Sequence, residues 1–302
     1  MAKRAPQPPP APPRPQVVEV VDPRWLLKAG AITLLAALFC AYLTLCLLFY
    51  QGQWQFALHP TRPVAQTPAA LSLPFEPVRF GVDATGTPQL SGWFIPSDSP
   101  GASTALLLHS GDGNIADALP LAQRLHTARF NVLLFDYRGY GASSGQHPTE
   151  QLMQGDAESA LTFLASTRGI PLGRIIPVGQ GIGASLATRL CGQHPELPAL
   201  VLDAPIGDIE ASVAHDPRTK LIPTGLFLNQ HFALADPLST LKTPKLIVSY
   251  TNTQPPLAAH RVADPKMTVE FPRSDDIAFV QNLTRFLELY APRALPVPSL
   301  TQ

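Results

Sequence analysis

The chain has 302 residues, with 22 Lys and Arg against 22 Asp and Glu, 34 Pro and 3 Cys; 45% of it is apolar and only 15% is charged. Three Cys cannot build a disulfide framework, and no C-x-x-C or Cys/His cluster with zinc spacing occurs, so no cofactor or metal motif is encoded. Only six of the basic residues are Lys and no Lys/Arg cluster exceeds a pair, which excludes a nucleic-acid-binding stripe.

The segments are unlike one another. Residues 1–16 carry seven prolines between Lys3, Arg4 and Arg14. Such a stretch cannot bury a core and populates extended polyproline conformations, so 1–24 reads as a disordered tail. From Ala29 to Tyr50 the sequence AGAITLLAALFCAYLTLCLLFY holds neither charge nor proline. At ~1.5 Å per residue a helix of that length covers the ~30 Å hydrocarbon layer of a bilayer. Trp25, Tyr50 and Trp54 flank it, where amphipathic rings favour the interface. A core helix would keep a polar face. A cleaved signal peptide has an apolar region of ~7–15 residues and a small-x-small end, whereas this run leads into Gln51-Gly52-Gln53-Trp54. Residues 25–50 are therefore expected to be an uncleaved anchor, with 29–50 in lipid. Lys3, Arg4, Arg14, Arg24 and Lys28 precede the run, and only Arg62 and Arg79 follow it in the next fifty residues. That bias predicts a single-pass protein of the cell membrane, with a cytoplasmic N-terminus and the remainder outside. Residues 51–77, punctuated by Pro60, Pro63, Pro68, Pro74 and Pro77, read as a stalk.

Beyond residue 77, short β-rich runs appear at Val78–Val82, Leu90–Ile95, Ala105–His109, Val132–Phe135, Ile175–Val178, Ala199–Leu202, Leu246–Tyr250 and Met267–Phe271. Amphipathic stretches at Ala116–Thr127, Glu150–Ser166, Ile182–Gln193 and Asp276–Tyr290 lie between or after the later runs. Strands alternating with helices predict one α/β domain over 78–290, with an eight-stranded, mostly parallel sheet covered on both faces. The first two runs, lacking a helix between them, predict an antiparallel hairpin at one edge. Residues 291–302, with Pro292, Pro296 and Pro298, predict an unstructured tail.

The sharpest motif is Ile175-Ile176-Pro177-Val178-Gly179-Gln180-Gly181-Ile182-Gly183-Ala184-Ser185, a strand, three alternate glycines and a helix. A nucleophile elbow, G-x-S-x-G, has this form, with glycines permitting close strand–helix packing around a strained central residue. Here the centre is Gly181. The same residues begin a G-x-G-x-x-G phosphate loop with Ala184 in its sixth position. Against that reading, the loop follows the fifth strand rather than the first, and Asp203 sits at a strand end in an Asp-Ala-Pro context.

Ser91-Gly92-Trp93-Phe94-Ile95-Pro96, Leu107-Leu108-His109-Ser110-Gly111-Asp112-Gly113-Asn114, Phe135-Asp136-Tyr137-Arg138-Gly139-Tyr140-Gly141-Ala142-Ser143-Ser144-Gly145, the elbow and Leu202-Asp203-Ala204-Pro205 follow one another at matching spacing. In this order, about residues 78–290 resemble the α/β-hydrolase superfamily, nearest to its serine-aminopeptidase-like, monoacylglycerol-lipase-like branch. The resemblance implies a Ser, Asp, His triad in that chain order. It puts the nucleophile on Gly181, the acid on Thr253 or, with one slip, Asn252, and the histidine on Ser274. None of these side chains can fill its role, and no histidine of the chain falls in the triad window. The resemblance also implies oxyanion-hole donors at Ser110 or Gly111 and at Ile182, with His109 as a structural residue of that loop, and it makes residues 204–244 a small cap, too short for a large lid, over an open pocket. The expectation is a membrane-anchored protein that binds an unidentified small ligand or protein without cleaving it. The alternative is a serine hydrolase with a non-standard nucleophile, for which Ser185, one helical turn beyond Gly181, is the first candidate, and Ser110, Ser143 and Ser144 the others.

Overall fold

The computed structural model describes residues 22–145, 147–251 and 261–294. The expected tail thus lies largely outside the described residues. The chain divides into two compact units, Met1–Leu48 and Phe49–Gln302. Helix α1 runs over Pro23–Gly52 and is long and apolar enough to cross a membrane. Leu34, Leu35, Leu38 and Phe39 are all exposed on it, as an apolar helix outside any core must be.

The second unit holds, in chain order, β1 (His59–Pro60), β2 (Glu76–Val82), β3 (Pro88–Ile95), β4 (Thr104–Leu108), β5 (Asp112–Gly113), α2 (Leu119–Thr127), β6 (Asn131–Asp136), α3 (Glu150–Thr162), β7 (Ile175–Gln180), α4 (Gly183–Gln193), β8 (Leu200–Asp203), α5 (Glu210–His215), α6 (Thr224–Phe227), α7 (Ala235–Thr240), β9 (Lys245–Tyr250), β10 (Lys266–Phe271) and α8 (Asp276–Tyr290). Eight strands form one sheet in the order β10-β9-β8-β7-β4-β6-β3-β2. Only β3 runs against its neighbours, making the expected edge hairpin with β2. All eight anticipated strands are present in that sheet.

Period-two alternation explains the two core layers. In β4, Leu106 and Leu108 join Leu133 and Phe135 of β6 on one face, while Ala105 and Leu107 join Val132 and Leu134 on the other. Helices α3 and α4 cover the first face and α2 and α8 the second. Caps fix their starts: the Thr149 hydroxyl accepts the Leu152 amide at 3.2 Å, and the Asp275 carboxylate accepts the Ala278 amide at 2.8 Å.

Two expected boundaries differ. The stalk is not free: Leu58 is fully buried, the His59 amide donates to Gly111 O (2.8 Å), and the Thr61 amide donates to Gly113 O (2.9 Å). Its prolines suppress internal periodicity, yet the backbone donors between them pair with the loop after β4. At the other end the domain continues past residue 290 through a 3-10 turn, Pro292–Ala294, whose Ala294 is buried.

Candidate functional site

The site grows from the carboxyl end of β7. Gly181 has φ +55°, a left-handed conformation that side chains with a Cβ adopt only under strain. Its amide donates to Asp203 O at 3.0 Å and its carbonyl accepts the Ile206 amide at 2.8 Å. A Cβ on Gly183 would stand 2.2 Å from Leu108 O, so only glycine lets α4 pass this close to β4. The strand, sharp turn and helix of an elbow are therefore present, with no side chain at the apex.

Ser110 stands beside that apex. A Cβ built on Gly181 would lie 3.0 Å from the Ser110 Cβ. His109, immediately before it, is buried against Tyr137 and Tyr140, with ring centroids 4.4 and 5.2 Å away. Its Nδ1 donates to Ser110 O at 2.7 Å. Nε2 has no hydrogen-bond partner among the described residues, and burial depresses the imidazole pKa to about 4, leaving a neutral ring. The Tyr137 hydroxyl donates to His109 O (3.1 Å) and the Tyr140 hydroxyl to Gly111 O (2.8 Å), locking the loop.

The segment leaving α1 packs closely against the loop after β4. A Cβ on Gly111 would meet Ala57 O at 2.7 Å, Leu58 Cδ2 at 3.0 Å and Ile182 Cγ2 at 3.2 Å. The strap that carries Leu58 continues to Thr61, whose carbonyl accepts the Gly141 amide (3.0 Å), and to Arg62, which donates to Ser143 O (3.0 Å). The strap, which pattern reading missed, brings the Leu58 side chain to 3.0 Å from a Cβ built on Gly111.

Of the remaining expected positions, Thr253 and Asn252 lie outside the described residues, and Ser274 is exposed. Ser185 is 5% exposed, and its hydroxyl donates to Ile182 O at 2.9 Å within its own helical turn. Where β8 and β9 end, a different network occurs. The Tyr250 hydroxyl donates to the buried Asp203 carboxylate, Gln180 Nε2 donates to its other oxygen (3.3 Å), and Arg124 donates to the Tyr250 hydroxyl (3.1 Å). Arg124 is held in turn by Asp276 at 2.6 Å, and the Arg273 guanidinium lies 4.3 Å from the Tyr250 ring centroid. Burial raises the Asp203 pKa, and the Tyr250 hydrogen bond opposes the rise. Asp203, Tyr250, Arg124 and Arg273 thus form an acid–phenol–cation corner in which no imidazole takes part among the contacts of the described residues.

A groove of about 990 Å³ runs along α4, with Gln154, Ser185, Arg189, Lys242, Tyr290 and Arg293 among its lining residues. Among the described residues, no group of three or more His, Cys, Asp or Glu side chains is placed to hold a metal ion.

The sheet order, elbow and oxyanion-type loop define an α/β-hydrolase fold. Residues 103–289 match the family described as Serine aminopeptidase, S33, and the chain belongs to that family. An uncharacterized protein of Mycobacterium tuberculosis is 33% identical over 163 residues, which is 53% of this chain and 56% of that one. The Alpha/beta hydrolase domain-containing protein WAV2 of Arabidopsis thaliana is 31% identical over 140 residues, 45% of this chain and 44% of that one. The chain therefore spans about half the length of these relatives. Among solved structures, an esterase of Pyrococcus furiosus superposes with a TM-score of 0.61 at 20% identity, covering 78% of this chain and 98% of its own.

Proposed function

We propose that this protein is a membrane-anchored α/β-hydrolase-fold pseudoenzyme that acts by binding a ligand or protein partner rather than by hydrolysis. The carrying observation is Gly181: the apex of the elbow keeps its backbone geometry and has no atom with which to attack. The groove along α4 offers a concave surface large enough for a small ligand.

In this reading α1 is the anchor, and the cations ahead of it support a cytoplasmic N-terminus. A reporter that works only in the cytoplasm, fused after Gln302, is expected to stay silent; activity there would reverse the orientation.

Family membership and one contact favour a second reading, an esterase or peptidase whose nucleophile has moved to Ser110, since that side chain reaches the space a residue 181 side chain would occupy. The two readings separate on short-chain p-nitrophenyl esters and aminoacyl anilides. The purified full chain is expected to turn over neither above the uncatalysed rate. Turnover abolished by Ser110→Ala or Ser185→Ala would establish the enzyme.

A further inference from the structure

The cap presents apolar side chains that pack against nothing in the domain. Leu221 and Leu226 are 75% and 80% exposed, while Ile222 and Leu228, between and beyond them, are buried in the core. The segment is thus two-faced, and its outer face is leucine. Arg218 and Lys220, both exposed, stand at its N-terminal side. The Arg218 guanidinium lies over the Phe56 ring at 4.5 Å, a residue of the segment leaving α1.

The cap is also tied to that segment. Gln53 Nε2 donates to Phe227 O at 3.2 Å, and the Asn229 amide donates to Gln53 Oε1 at 2.7 Å. Gln53 is 2% exposed and stands three residues beyond Tyr50, where the apolar run ends. Three residues reach at most about 10 Å. The headgroup region on each side of the hydrocarbon is only somewhat thinner than that, at roughly 5–8 Å. If α1 is the anchor, the cap backbone at 227–229 is held at the membrane surface by chain connectivity alone, whatever the tilt of the domain.

We infer that the cap, through Leu221 and Leu226 with Arg218 and Lys220 beside them, lies on the bilayer as a second membrane contact and inserts its leucines at the headgroup–acyl boundary. The inference rests on α1 being the anchor. Leucines with basic neighbours are the composition of interfacial segments, which bury their apolar side chains and meet anionic headgroups with their cations. The consequence is a domain held at the bilayer by two contacts, the anchor and the cap.

The test uses the full chain in vesicles of phosphatidylcholine and phosphatidylglycerol, with an environment-sensitive fluorophore on Leu226→Cys or, separately, Leu221→Cys, in a Cys40→Ser, Cys46→Ser, Cys191→Ala background. Asp98→Cys is the control: it is exposed and follows β3, whose antiparallel direction puts it at the opposite end of the sheet. The expected result is blue-shifted emission at 226 and 221, quenched by lipids carrying a nitroxide near the headgroup, with neither effect at 98. If the chain resists extraction by alkaline carbonate yet 226 and 221 both behave like 98, the anchor stands and the cap contact is refuted. A blue shift without quenching by nitroxide lipid also refutes it, because a second copy or another protein then covers the patch. A chain that carbonate extracts refutes the anchor and the cap contact together.

Discussion

Gly181 combines two kinds of constraint, a backbone at φ +55° and a neighbour, Ser110, whose Cβ leaves 3.0 Å for any added Cβ. Gly181→Ser is therefore expected to destabilise the domain by about 1–3 kcal/mol, read as a lower urea midpoint, without creating esterase activity. Two further residues give opposed pH responses. Burial raises the Asp136 pKa from 3.8 to about 6, against the Ile115 and Ala142 amides that its carboxylate accepts. The stability linked to it is complete below pH 3.8 and is lost as pH rises through 6. The His109 pKa is lowered from 6.5 to about 4, so its contribution is present above 6.5 and is lost as pH falls to about 4. Asp136→Asn removes the first response and leaves the second. On acidification from pH 6.5 to pH 4 the variant is expected to lose more stability than the parent, as followed by urea midpoints. Equal losses would place the Asp136 titration elsewhere. Gly181 was legible in the sequence because alternate glycines encode close backbone approach. The corner at Tyr250 was not, since Tyr250 meets Asp203 across 47 positions and Arg124 across 126.

The strands were legible for the same reason that they form: period-two apolar runs bounded by turn residues. Their order was not legible beyond the edge hairpin, since hydrophobic pattern alone does not say which strand lies beside which. The strap was misread because most of its fixed points are polar, among them the His59 and Thr61 amides, the Thr61 carbonyl and the Arg62 and Gln53 side chains, and polar contacts produce no hydrophobic period. Leu58 is nonetheless fully buried in the core cluster that includes Phe94, Tyr140 and Ile182. Leu58→Ala is expected to cost about 2–5 kcal/mol in urea unfolding, as cavity-forming leucine truncations do. It should also speed amide exchange at Ser110–Gly113 relative to the edge strand β2. A cost below ~0.5 kcal/mol with unchanged exchange would mean that the strap merely rests on the domain.

At the scale of the whole molecule, the balanced charge resolves into unlike parts. Five basic and two acidic residues lie in 1–28, leaving 17 basic and 20 acidic beyond them. The chain thus joins a cationic tail, an apolar helix and a mildly acidic domain, and 13 of the 34 prolines lie in residues 1–77. The domain keeps the backbone turn of an acyl-transfer site at Gly181, and in the proposed function no side chain of the chain attacks a carbonyl there. The most direct measurement of that claim is the intact mass of the purified full chain after incubation with a fluorophosphonate probe. An unchanged mass, with a catalytically competent serine hydrolase labelled in the same tube, is the predicted result. A single adduct that disappears on Ser110→Ala or Ser185→Ala would contradict it and make this protein a serine hydrolase with a displaced nucleophile.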